Sequence, residues 1–361
     1  MAIDQLTCFQ ATMAHKKHEA FLFYADYTQD LRKRMLERYA VADTRALHMR
    51  QGMYTPEGLA LRQPEGFTAP DFSTYHAGTA KPPRAFINEI GVLEIPGSMY
   101  HFTQFVSPLH NAERFEEIES FPYPSVKDFS DTHLRAEVEA IHGRGHVASA
   151  WIGHMYEDSW QIRGYEPFLM DMISQPEWCE FILDKLMEKN IAVATAMARA
   201  GVDVIVTGDD VANQNTLMFS LDQWKHFMKG RWAKVYAAVR AIKPDIQIWY
   251  HSDGNIETII PHLIEIGVTI LNPVQPECID PVMVKRKWGD KLVLDGTIGT
   301  QTVMPFGTPA DVKKNVRDMA EALGQDGALI LSPTHTLEPE VPIENIEAFV
   351  DACKEYGILN P

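Results

Sequence analysis

Several things are scarce in this chain. Its four cysteines, Cys8, Cys179, Cys278 and Cys353, stand far apart and form no Cys-x-x-Cys pair. That spacing argues against a disulfide framework and against a structural zinc ribbon. No apolar run approaches the ~20 residues that span a bilayer. The first residues, Met1 to Gln5, lack the basic start and apolar stretch of a signal peptide. The expected setting is a reducing cytoplasm. Positive charge is short as well: 33 Lys and Arg face 49 Asp and Glu, a formal charge of −16. Such a surface disfavours nucleic acid and anionic membranes as partners. There is no Walker A loop, no G-x-S-x-G elbow, no H-E-x-x-H helix and no Gly-rich phosphate loop. A nucleotide cofactor is therefore not expected, and no spacing points to a Ser/His/Asp triad.

What is present is ordinary in bulk and regular in order. The chain has 361 residues, 45% hydrophobic and 23% charged, enough for a sizeable core. The first ~40 residues read as helical from Asp4 to Tyr39. Residues 50–135 carry many Pro and Gly with scattered aromatics, and read as loops and short strands covering one end of the main body. A helix is expected at 128–143. From Gly145 onward strands and helices alternate. The expected strands are 147–153, 202–206, 246–250, 269–271, 292–294 and 328–331. Helices fall between them: 165–200 with a break near Gln175-Pro176, 221–242 capped by Ser220, 256–266, 282–288, one opened by Thr308-Pro309, and 343–356. Alternation of this kind implies parallel βαβ units. The expected fold is an α/β, (β/α)8 TIM-like barrel in a single domain, 1–361. Residues 1–144 would form N-terminal helices and covering loops, and 145–361 the regular βα units.

Five strand ends are polar. Thr207 to Asp210, Tyr250 to Gly254, Asn272 to Glu277, Asp295 to Gln301 and Ser332 to His335 would all gather on the C-terminal rim, where such barrels do chemistry. His251 and Asp253, two apart before a turn at Gly254, suit a divalent metal or acid–base work. Asp253 also precedes a helix, so a capping role carries equal weight. His335 at the last strand end completes three N/O ligands and leaves a fourth position open. Cys278 is a further candidate but ranks below Glu277, because a lone Cys is more often a small buried hydrophobe. Asp209 and Asp210 form a carboxylate pair for substrate or charge stabilisation, or for capping. Gln214, Gln275, Asp295 and Gln301 are similarly placed. Trp160 and Arg163 could wall a pocket, or Arg163 could pair with Glu166 on the surface.

Taken in order, these stretches resemble the uroporphyrinogen decarboxylase superfamily. The carriers are Trp160-Gln161-Ile162-Arg163-Gly164, Gly208-Asp209-Asp210, Tyr250 to Gly254, Leu271 to Pro276, Asp295-Gly296 with Thr300-Gln301, Pro305 to Thr308, and Ser332 to His335 with Val341 to Asn345. The resemblance implies the same barrel and two candidate activities. Decarboxylases of this superfamily hold a many-carboxylate tetrapyrrole with an Arg-rich N-terminal motif. His48 to Tyr54 echoes that motif, but Met53 stands where a second Arg is needed. The other branch, the cobalamin-dependent methyltransferases, uses zinc bound by a His-x-Cys pattern and a later Cys. Here Asp253 replaces the first Cys, and His335 lies near the second. That departure disfavours thiol substrates and suits an oxygen-ligating one.

The resemblance therefore implies a methyltransferase of the O-demethylase type. It would take a methyl group from a small methoxylated substrate, an aromatic methyl ether, and pass it to a corrinoid protein that carries cobalamin. Zinc would be held by His251, Asp253 and His335. Asp209, Asp210 and Glu277 would act in catalysis, with Trp160, Arg163, Gln214, Tyr250, Gln275, Asp295 and Gln301 around the substrate. The alternative is a cofactor-free decarboxylase. The sequence leaves self-association open.

Overall fold

The computed structural model describes residues 4–17, 20–97 and 103–356. Eight short strands form one parallel sheet: β1 (Leu22–Phe23), β2 (Glu57–Gly58), β3 (Ala148–Trp151), β4 (Val204–Gly208), β5 (Gln247–His251), β6 (Ile270–Asn272), β7 (Val293–Asp295) and β8 (Leu329–Leu331). Their order in space is β1-β8-β7-β6-β5-β4-β3-β2. The first strand lies beside the last, with Leu22 opposite Ile330. The Tyr54 N–H donates to the Phe23 carbonyl at 2.7 Å and draws the two edges together. This is the expected (β/α)8 barrel.

Strand alternation divides the side chains into two sets. Leu22, Val147, Val204, Ile270, Val293 and Ile330 face inward and form an inner core. Ile205, Ile248, Leu271, Leu294 and Leu331 face outward and pack under the helices. Helix Gln5–Met13 seals the N-terminal end of the barrel. It is capped by Asp4, which accepts from the Thr7 N–H at 2.7 Å. Its Cys8 and Phe9 join the inner core, and Phe9 stacks on Tyr54 with ring centroids 6.2 Å apart.

The structure departs from the sequence reading in several places, and the helix expected at 256–266 starts only at Ile260. The expected long N-terminal helix is a helix, a strand and a second helix, Gln29–Tyr39. Two-residue β1 is too short to show a period, and its pairing with β8 decides its form. Residues 50–135 do more than cover an end, since they supply β2. Their three-stranded antiparallel sheet (Phe86–Ile87, Leu93–Pro96, Thr103–Val106) belongs to a side core instead. There Phe72, Ile90, Leu109 and Phe121 pack with Ile162, Trp178 and Ile182. The helix expected at 221–242 is interrupted by a π-helical turn, Lys225–Lys229. The caps at Ser220 and Thr308 and the break at Pro176 are as read. Among the described residues no helix is long and apolar enough to cross a membrane.

Phe9→Ala should cost about 3–5 kcal/mol, because it empties the barrel floor. Urea unfolding checks this. A loss below about 1 kcal/mol would mean that the N-terminal helix is not part of the cooperative core.

Candidate functional site

Neighbouring carboxylates at the end of β4 meet opposite fates. Asp209 is fully buried. Its Oδ1 accepts from the backbone N–H groups of Met155, Tyr156 and Glu157 at 2.8, 2.7 and 3.3 Å. Its Oδ2 accepts from Trp232 Nε1 at 2.9 Å. Asp209 thus caps helix Tyr156–Arg163 from another strand. Burial pushes its pKa up to about 7, against the lowering effect of His154. With its oxygens occupied, it positions a helix; the expected catalytic role does not fit that geometry. Asp210 turns toward the rim. Its Oδ1 accepts from the Asp253 N–H at 2.8 Å and lies 3.6 Å from His251 Nε2.

Asp210, His251 and Asp253 each offer a ligand atom, all within 4.8 Å of one another. His251 Nδ1 lies 2.7 Å from Asn272 Oδ1. An amide oxygen only accepts, so the proton sits on Nδ1 and the Nε2 lone pair faces the carboxylates. Burial lowers the His251 pKa, but the charges of Asp210 and Asp253 outweigh it and leave it raised. Asp253 Oδ1 is buried without a hydrogen-bond partner. The Asp253 carboxylate caps no helix, because the next one starts only at Ile260. The turn that aims it needs Gly254, at φ +84°, where a Cβ would sit 2.5 Å from the Asn213 carbonyl oxygen. These residues fit a divalent cation: two carboxylates and one imidazole converge, and one buried oxygen has nothing else to bind.

A network below them fixes the imidazole. Trp249, two residues before His251, faces the same way and stacks on it with centroids 5.7 Å apart. Trp249 Nε1 donates to Asp295 Oδ2 at 2.7 Å. Asp295 also accepts from Tyr24 (3.1 Å) and Ser332 (2.8 Å). Tyr24 in turn accepts from Asn272 Nδ2 at 3.3 Å. Asp295 therefore anchors the floor of the site, and burial raises its pKa to about 6.

The other expected residues divide clearly. Gln275 holds the turn by accepting from the Gly254 N–H at 3.3 Å. Gln214 donates to Gln301 at 2.6 Å across the rim. Glu277 binds the following rim loop through Gln301 N–H and the Thr302 hydroxyl. It braces that loop and lies outside the three-residue group, as does Cys278. His335 shares a rim cavity with Asp253 and Gln275, but it too is outside the group. Its Nδ1 donates to the Thr336 carbonyl at 3.0 Å, and its ring is exposed. Asp210 takes the place expected for it. Tyr250 is on the outer face of β5, fully buried against Trp232, and does not line the rim cavity. Arg163 is no pocket wall: it is buried, pairs with Asp171 at 2.7 Å rather than Glu166, and lies over Trp178. Trp160 packs against Phe105 and Tyr165.

One pair was missed. His154 Nδ1 lies 2.7 Å from both Glu157 Oε2 and the Gly208 carbonyl. The carbonyl takes the Nδ1 proton, and the carboxylate beside it favours the doubly protonated ring, so His154 and Glu157 make an ion pair, with Asp209 close by. Burial lowers the His154 pKa, but Glu157 first, then Asp209 and Asp158, raise it to about 10. A His three residues before a Glu in a strand-to-helix loop was the available signal. A folded-state pKa above the unfolded value stabilises fully below pH ~6.5, and the contribution fades as pH rises through about 10. The difference in melting temperature between wild type and His154→Gln should thus be largest below pH ~6.5 and shrink toward pH ~10. A difference that grows with pH would contradict the ion pair.

Known proteins resemble this chain in sequence and in overall fold. The family model described as uroporphyrinogen decarboxylase (URO-D) matches residues 153–356, more than half the chain. A methylcobamide:CoM methyltransferase, MtaA, of Methanosarcina barkeri is 30% identical over 190 residues, 52% of each chain. The chain therefore spans about half the length of that relative. A uroporphyrinogen decarboxylase of Coxiella burnetii is 24% identical over 91% of this chain and 95% of its own. A solved methyltransferase from Methanosarcina mazei superposes with a TM-score of 0.67 at 18% identity, covering 98% of this chain and 99% of that one. It shares the fold. With its rim cluster and barrel in place, the chain belongs to the uroporphyrinogen decarboxylase (URO-D) family and resembles that family's methyltransferases.

Proposed function

We propose that this chain transfers a methyl group from a small methoxylated substrate, an aromatic methyl ether, to the reduced corrinoid of a partner protein. The carrying observation is the unspent carboxylate of Asp253, aimed with Asp210 at the same point as His251 Nε2. Zinc fits this all-oxygen-and-nitrogen set, and the absence of a thiol from the group favours an oxygen ligand over a sulfur one. Zinc bound there would act as a Lewis acid toward the ether oxygen, since phenolate is a poor leaving group unaided.

The chain's own residues supply the rest. Asn272 keeps the His251 Nδ1 protonated and its ring oriented. Trp249 supports that ring from below, and Asp295 fixes Trp249. The methyl carbon would form its new bond to the partner's corrinoid nucleophile as its C–O bond breaks. The bonding pair leaves with the ether oxygen. Among the described residues that line the rim cavity there is no Arg or Lys to meet the many-carboxylate substrate of the decarboxylase reading. Arg50, which echoes its motif, donates to the Tyr39 carbonyl and lies over the Tyr39 ring.

Purified protein should carry about one zinc per chain. Asp253→Ala and Asp210→Ala should each weaken zinc binding by at least about tenfold, and Asn272→Leu by about 10–100-fold. Metal analysis and chelator competition measure this. Undiminished zinc in an Asp253→Ala/His251→Ala double variant would end the metal reading. Methyl transfer from methoxyarenes to reduced corrinoid protein, lost on chelation, tests the reaction itself.

A further inference from the structure

The barrel interior holds a cavity of about 290 Å³. Its wall includes Trp249, so it lies one layer below His251. Phe9, Tyr24, Tyr54 and Trp249 line it with aromatic surface. Its charged lining residues are Asp26 and Asp295, and no Arg or Lys is among the described residues that line it. The same holds for the rim cavity beside Asp253, where Glu338 and Glu340 stand. Asp295 is 1% exposed, and its hydrogen-bond donors, Trp249, Tyr24 and Ser332, are all neutral. Its charge is therefore offset by dipoles alone. A second carboxylate brought beside Asp295 would meet a like charge in a poorly solvated setting, with no Arg or Lys among the described lining residues to offset it; Asp26 is exposed, and its charge is screened.

One further lining residue has unused capacity. His48 is 6% exposed, and its Nε2 has no hydrogen-bond partner. Burial lowers its pKa, which keeps the ring neutral near pH 7. A neutral imidazole at the edge of an aromatic cavity suits one hydroxyl group.

We propose that the cavity binds the ring of a neutral methoxyphenol, with His48 bonded to the ring hydroxyl, and excludes rings that bear a carboxylate. This rests on the methyl-ether reading above and narrows its substrate class. The aromatic walls supply stacking surface, and the buried Asp295 supplies the rejection. The ether oxygen would point toward the His251 layer.

Isothermal titration calorimetry on the full chain tests the proposal with three probes: 2-methoxyphenol, methoxybenzene and 4-hydroxy-3-methoxybenzoate. The first should bind at least about tenfold tighter than the benzoate, which differs from it by a carboxylate. Asp295→Asn should narrow that gap, and His48→Leu should remove the advantage over methoxybenzene. Val206→Trp, which fills the cavity, should abolish binding of all three with the circular dichroism spectrum unchanged. Should that variant unfold, Ser149→Leu is the milder block. Equal or tighter binding of the benzoate overturns the proposal, as does binding that survives a filled cavity. An order unchanged by His48→Leu overturns the hydroxyl assignment. Methoxyphenol bound in the cavity with no methyl passed to reduced corrinoid protein would sink the methyl-transfer reading and leave the cavity's selectivity standing. Transfer from a donor that ignores the filled cavity would do the reverse.

Discussion

Asp295 is a carboxylate inside a barrel, and much of the site hangs from it. It joins strands distant in sequence: Trp249 from β5, Tyr24 after β1 and Ser332 after β8 all donate to it. Through Tyr24 and Asn272 the chain of bonds reaches His251. Burying a carboxylate without a cation is costly, and its pKa rises to about 6 as a result. The return is orientation. A tryptophan and an imidazole are held parallel, and one tautomer is selected, which leaves the Nε2 lone pair facing Asp210 and Asp253.

Legibility followed locality. The polar strand ends, the Ser220 and Thr308 caps and the break at Pro176 are written in short runs of sequence, and they could be read there. The pairing of His251 with Asp253 was equally local. What argues against the helix cap is the distance from Asp253 to Ile260, a structural fact. Which of Asp209 and Asp210 meets His251 depends on how the chain leaves β4, and consecutive residues leave a strand on opposite faces. His335 sits on the correct rim, but its loop turns it to solvent. Trp249 was within reach of period-two reasoning from His251; Tyr24 and Asn272 were not, because their meeting depends on which strands are neighbours.

Charge tells a similar story at larger scale. The excess of acid was legible as a count, and it argued only against polyanionic partners. In three dimensions the excess has local structure. Asp209 is spent on backbone amides, Glu157 on an imidazolium and Asp295 on neutral donors, while Asp210 and Asp253 converge. Residue type was therefore a poor guide to role. What each oxygen already accepts was a good one.

The pairing of β1 with β8 has a consequence for how the molecule holds together. Leu22 meets Ile330 across more than three hundred residues of chain, and Phe9 completes the interior that both strands face. Neither segment can be ordered without the other. Contacts of such large sequence separation make closure late and folding slow. They also make the barrel one cooperative unit, in which a nick near either terminal strand opens the same seam and releases the floor beneath the site.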